Sequence, residues 1–246
     1  MNPSALLLIV LTAGAAAMVR SHPANTPAMQ FWEHALPGTP MPEAIANLVQ
    51  KGNVLVPFNN PRDVLSTFHI SPDSDEAAQV TDTLGRCEEP PVAGEVKSYT
   101  TSLESTVQRA MDMLGIGTTG VVTDGSVWAV TSELPAGGLP RQPYEVEAVA
   151  PLAGSRYVSC HRVPFPYGVY QCHISVGYTA YVVSLRGLHG GQVASVLAFC
   201  HVDTSGWNPA HPAFGILGTH PGGTPVCHFT QYGDLAFIDR RCCCCR

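Results

Sequence analysis

The chain is predicted to fold as an α+β domain, N-terminal helices followed by a mainly antiparallel β-sheet braced by disulfides. Three observations carry that prediction. Helical periodicity is confined to the stretch before Gly115, and β-branched and aromatic runs broken by Gly, Pro and Asp-Gly turns fill the chain from Gly120 onward. Helices first and strands second make an α+β arrangement. Third, four cysteines of the strand-rich half are each followed directly by histidine: Cys160-His161, Cys172-His173, Cys200-His201 and Cys227-His228.

The elements follow in order. Pro42 to Gln50 reads as a short helix ending at Gly52. Ser74 caps a second, from about Asp75 to Leu84, with Ala77, Val80 and Leu84 on one stripe and Gly85 as stop. Thr101 and Glu104 form a capping-box pattern before Val107, Ala110, Met111 and Leu114, spaced i, i+3, i+4 and i+7, and Gly115 ends that helix. The strand candidates are Val121-Val122, Val127 to Val130, Val146 to Val149, Tyr157-Val158, Val169-Tyr170, Tyr181 to Leu185 and Val193 to Phe199. A hairpin turning near Pro166 sets Cys160 opposite Cys172 on one face and gives His161 and His173 the other. His189-Gly190-Gly191 turns the Tyr181 strand into the Val193 strand, so Cys200-His201 falls at the end of a buried strand.

Chance placement of nine Cys and ten His in 246 residues gives roughly 0.4 Cys-His dipeptides, so four are a designed feature. Side chains alternate across a strand, so each dipeptide offers a thiol to one face and an imidazole to the other. The gaps from each His to the next Cys are 10, 26 and 25 residues. Convergence of His161, His173, His201 and His228 would suit Cu(II), Zn(II) or a similar borderline ion, with the thiols locked in disulfides. A hydrogen-bonded histidine beside a structural disulfide is the alternative. No Cys-x2-4-Cys finger spacing, Gly-x-Ser-x-Gly elbow, His-Glu-x-x-His pair or phosphate-binding Gly-Lys loop occurs in the domain.

Residues 1–21 hold an apolar run, Ala5 to Val19, shorter than a membrane span and followed by Ser21-His22, which reads as a cleaved secretory signal peptide. Cleavage removes Arg20 and leaves twelve basic against 19 acidic side chains, a net charge of −7. That acidic balance disfavours nucleic acid and anionic lipid as partners, and no stable membrane span is expected. Secretion into an oxidising compartment favours two disulfides among Cys160, Cys172, Cys200 and Cys227, with Cys160–Cys172 the preferred pair. No Asn-x-Ser/Thr sequon is present. Nothing divides the remaining residues, so they are expected to form one domain.

Further motifs extend the pattern: Phe31-Trp32-Glu33 leading into Leu36-Pro37-Gly38-Thr39-Pro40-Met41-Pro42, Cys87-Glu88-Glu89-Pro90, Thr101-Ser102-Leu103-Glu104-Ser105, Asp203-Thr204-Ser205-Gly206-Trp207-Asn208-Pro209 and Pro225-Val226-Cys227-His228-Phe229. With the Cys-His spacing, these resemble the plant BURP domain over about residues 30 to 239. The expected organisation is signal peptide 1–21, short segment 22–30, BURP-like domain 31–239 and Arg/Cys tail 240–246. Two departures stand out. Tyr99 occupies a place where the family usually has a second cysteine, leaving Cys87 without that partner, and Phe237 stands where the family tends to have Trp.

The resemblance implies a secreted protein of the plant cell wall, vacuole or storage compartment, and two functional classes. One is an interaction or structural protein in development or stress response, with a cell-wall protein or a polysaccharide-modifying enzyme such as polygalacturonase as partner. The other is a copper-dependent oxidative peptide cyclase. Ser21 to Gln30 contains no Tyr or Trp, so a cyclase substrate is expected from another chain or from an end of this one. Asp203, Trp207 and His211 complete the motif set, with Asp203 and His211 read either as hydrogen-bond partners that orient the ligand histidines or as ordinary loop residues. Cys242 to Cys245 are too close together to pair with one another without strain and receive no function.

Overall fold

The computed structural model describes residues 26–49, 60–116, 126–135, 137–191 and 193–241. The expected signal peptide, the Val121-Val122 strand and the Cys242 to Cys245 run lie outside the described residues.

The N-terminal half is helical for local reasons. Helix α1 (Pro27–Ala35) starts with Pro at its first position and Thr26 as cap, and the indole N–H of its buried Trp32 donates to Thr39 O at 2.8 Å. Helices α2 (Glu43–Val49) and α3 (Pro61–Thr67, capped by Asn60) follow. Helix α4 (Asp75–Glu88) has the expected Ser74 cap but runs through Gly85, because a lone glycine costs only about 1 kcal/mol while Val80, Thr83 and Leu84 are buried. Strand β1 (Glu95–Thr100) then leads into α5 (Leu103–Met113). The cap of α5 is Ser102, whose hydroxyl accepts from Ser105 N–H at 3.1 Å, so the expected Thr101/Glu104 box is displaced by one residue. Its Val107, Ala110 and Met111 are buried, and Gly115 leaves the helix at φ +72°.

The strands are β2 (Val127–Val130), β3 (Tyr144–Pro151), β4 (Arg156–Arg162), β5 (Tyr170–Ser175), β6 (Tyr178–Gly187), β7 (Val193–His201), β8 (Val226–Phe229) and β9 (Leu235–Asp239), with helix α6 (Pro212–Leu217) before β8. They form two antiparallel sheets, ordered β1-β5-β4-β9-β2 and β3-β6-β7-β8. The turn after β3 divides them: Leu152 N–H donates to Ala180 O in one sheet and Ser155 N–H to Asp239 O in the other, both at 2.9 Å.

The result is layered. Trp32 and Leu36 with α5 pack on one face of the first sheet, against Val158, Cys160, Cys172 and Phe237. The other face, through Tyr157, Ala236 and Ile238, packs on Tyr178, Ala180, Leu197 and Phe199 of the second sheet. A smaller cluster of Val64, Val80 and Leu84 joins α3 to α4 and meets Phe165 of the β4–β5 hairpin. No helix among the described residues is long and apolar enough to cross a membrane.

Candidate functional site

Alternation along four strands separates the sulfur from the nitrogen of every Cys-His dipeptide. Cys160 pairs with Cys172 across β4 and β5, and Cys200 with Cys227 across β7 and β8, each pair in direct register and closed as a disulfide. The first bridge lies in the core beneath the helices, both cysteines at 0% exposure. Between the sheets the four imidazoles meet. Ring centroids are 5.2 Å apart for His161 and His173, 5.2 Å for His161 and His228, 5.8 Å for His173 and His201, and 5.7 Å for His201 and His228. Two rings come from each sheet.

Two carboxylates set the orientation of the pair from the first sheet. Asp234, just before β9, accepts from the N–H groups of Arg162 (2.8 Å) and Gln231 (2.9 Å) and lies 3.1 Å from His161 Nδ1. A carboxylate only accepts, so His161 Nδ1 carries the proton and Nε2 carries the lone pair. Glu95 Oε1 lies 3.0 Å from His173 Nδ1, a close approach outside hydrogen-bond geometry that fills the space on that side of the ring. The two Nε2 atoms then face each other at 3.2 Å. An N–H on one ring can donate to the other at that distance, and the same spacing suits a shared ion, since nitrogens about 2.0 Å from one tetrahedral ion stand about 3.3 Å apart.

Burial disfavours the charged form of three of the four rings. Desolvation, with repulsion from His173 and His228 behind it, holds His201 at about 3, and desolvation with His161 and His173 holds His228 at about 4. His173 is lowered by burial against the pull of Glu95, and the Glu95 carboxyl, which burial would raise, ends below its ordinary value through His173. Neutral imidazoles are the ligand form. Among the described residues no three His, Cys, Asp or Glu side chains already stand at ligand distances from a common point, so His201 and His228 need side-chain rotation to join His161 and His173 on one ion.

A cleft of about 410 Å³ opens beside the imidazoles, lined by Glu95, His173, His201, His228, Trp207 and His211, with Ile216 and Leu217 at its apolar edge. Trp207 stands 4.8 Å from the His201 ring and 4.7 Å from that of His211. His211 caps α6, its Nδ1 accepting from Ala213 N–H at 3.2 Å, and Asp203 holds its own turn by accepting from Ser205. Tyr178, packed 4.7 Å from His201, shares its hydroxyl hydrogen with Ser159 at 2.9 Å. Glu95, Asp234 and Tyr178 were not singled out from sequence, since isolated residues in short segments carry no spacing signal. Cys87 is half-buried with its thiol pushed up to about 11 by desolvation, while Tyr99 donates from its hydroxyl to Arg86 O at 3.0 Å on the same helix end.

The BURP domain family model matches residues 29–239 of the chain, a span that contains all four imidazoles and both disulfides. The chain belongs to the BURP domain family. Protein RAFTIN 1A of Triticum aestivum is 38% identical to this BURP protein over 242 residues, covering 92% of the chain and 59% of that relative. BURP domain-containing protein 13 of Oryza sativa subsp. japonica is 44% identical over 177 residues, 71% of the chain and 41% of the relative. BURP domain protein RD22 of Arabidopsis thaliana is 37% identical over 178 residues, 71% of the chain and 43% of the relative. The BURP protein thus spans about half the length of these plant relatives.

Proposed function

We propose that His161, His173, His201 and His228 hold a copper ion, and that this BURP protein follows the secretory route and acts as a wall-associated or storage-compartment protein in development or stress response. The observation that carries the metal reading is the 3.2 Å approach of His161 Nε2 to His173 Nε2, with both Nδ1 atoms turned to carboxylates. Imidazole donors with the neighbouring sulfurs sealed in disulfides suit Cu(II). The two disulfides support an oxidising compartment. Purified protein loaded with Cu(II) and dialysed is expected to retain about one equivalent, and each His→Ala change weakens retention without unfolding the domain. A His→Ala series that leaves the copper content unchanged refutes the assignment.

A second reading, oxidative cyclisation of a separate peptide, is favoured by the open cleft of about 410 Å³ against the imidazoles. Bound copper would supply one-electron oxidation with O₂. The chain's own residues would seat the peptide: Trp207 offers a ring face, Ile216 and Leu217 an apolar edge, and Glu95 keeps His173 oriented. Incubating copper-loaded protein with plant peptide precursors in air and finding a dehydrogenated product by mass spectrometry is the expected result. Copper retention with no such product removes the cyclase reading and keeps the metal site.

A further inference from the structure

We infer that the Cys200–Cys227 disulfide is a thiol-exchange site whose opening releases His228 from the imidazole set. The two bridges sit on opposite outer faces of the paired sheets, and among the described residues only the first of these faces is covered. Helices bury Cys160–Cys172 completely, whereas Cys227 is exposed, Cys200 is 8% exposed, and both line an open groove of about 450 Å³ on the back of the second sheet. The groove walls include Val149, Tyr181, Val202 and Phe229, with the His228 ring at one edge and no Asp, Glu, Lys or Arg among the described lining residues. A thiolate borne on an uncharged or apolar carrier suits that entrance.

The exchange balances simply. An external thiolate attacks Cys227 Sγ, the S–S bond breaks, and the Cys200 thiolate leaves and takes a proton. A second thiol of the reductant resolves the mixed disulfide, so the reductant is oxidised by two electrons and both cysteines end as thiols. Strand β8 is a four-residue edge strand paired with β7 alone. Its C-terminal end stays pinned, because Thr230 N–H donates to Leu197 O at 2.9 Å and its hydroxyl meets Ser132 Oγ at 2.6 Å. The Pro225 to His228 end has the bridge as its covalent anchor, so His228 moves when it opens.

The test uses the apo protein, with Cys160–Cys172 as internal control. Graded dithiothreitol, alkylation and peptide mapping should modify Cys200 and Cys227 at about tenfold lower reductant than Cys160 and Cys172. Neutral mercaptoethanol should outpace anionic mercaptoethanesulfonate at Cys227. Simultaneous opening of both bridges, or the reverse order, overturns the site. The coupling to His228 rests on the copper reading above for one readout: protein alkylated at Cys200 and Cys227, or carrying Cys200→Ser and Cys227→Ser, should retain less copper after loading. The second readout needs no metal, because the ¹⁵N shifts of His228 should move while those of His161 stay. Unchanged His228 shifts overturn the coupling, whereas wild-type protein that binds no copper at all overturns the copper reading and leaves the order of bridge opening to decide the exchange site.

Discussion

Asp234 is the most heavily engaged side chain near the imidazoles: at 4% exposure it accepts from two backbone N–H groups and from His161. Asp234→Ala orphans those donors and is expected to lower stability by about 3 kcal/mol in urea unfolding, with Asp234→Asn losing less because one acceptor remains. The imidazoles set the acid limb. His201 and His228 titrate near 3 and 4 in the folded protein against about 6.5 when unfolded, so below pH 6.5 the unfolded chain binds protons that the native one refuses. The contribution is complete above pH 6.5 and is lost on acidification toward pH 4, each group removing up to about 1.4 kcal/mol per pH unit, and Glu95 with its lowered carboxyl adds loss in the same direction. Apo-protein melts that stay level between pH 6.5 and 4.5 contradict this. The histidines were legible because strand alternation sends the sulfur and the imidazole of each Cys-His dipeptide to opposite faces. Glu95 and Asp234 were not, since nothing local marks a single carboxylate that is brought in by a distant strand.

Among elements, α5 shows how local and long-range signals divide. Its apolar stripe was legible from spacing, and its cap was misplaced by one residue because Thr101, Ser102 and Ser105 offer competing hydroxyls and the Ser102–Ser105 exchange wins. Its other end is finished from another element: Arg156 of β4 donates from Nη1 to Leu114 O at 2.7 Å and from Nη2 to Met113 O at 2.8 Å. Arg156→Ala is expected to cost about 2 kcal/mol, and Arg156→Lys to recover less than half, because an ammonium cannot span both carbonyls. Equal stability of the Lys variant and the wild type by thermal melt would remove this tie. Strand β1 escaped prediction because Glu95-Val96-Lys97-Ser98-Tyr99-Thr100 carries charge on an edge, and its pairing with β5 is supplied by β5's sequence rather than its own.

At the scale of the molecule, the predominance of helices before Gly115 and of strands after it was readable, whereas the interleaved β1 and α6 and the division into two sheets were not. That division depends on the turn after Pro151, whose two ends bind different sheets through hydrogen bonds that no dipeptide pattern announces. The Cys160–Cys172 bridge braces the helix-covered sheet from within, and Cys160→Ala with Cys172→Ala is expected to cost about 2 to 5 kcal/mol in denaturant unfolding. A loss under about 1 kcal/mol would make the bridge dispensable to the fold. The two-and-two origin of the imidazoles has a mechanical corollary. A ligand that grips all four acts as a rivet between the sheets, whereas one that grips His161 and His173 alone leaves the layers held by their apolar packing only. At about a thousandfold excess over its dissociation constant a bound ligand raises stability by about 4 kcal/mol. Only the rivet should slow amide exchange in β4 and β7 together, so breathing of the layers measures how many rings are engaged.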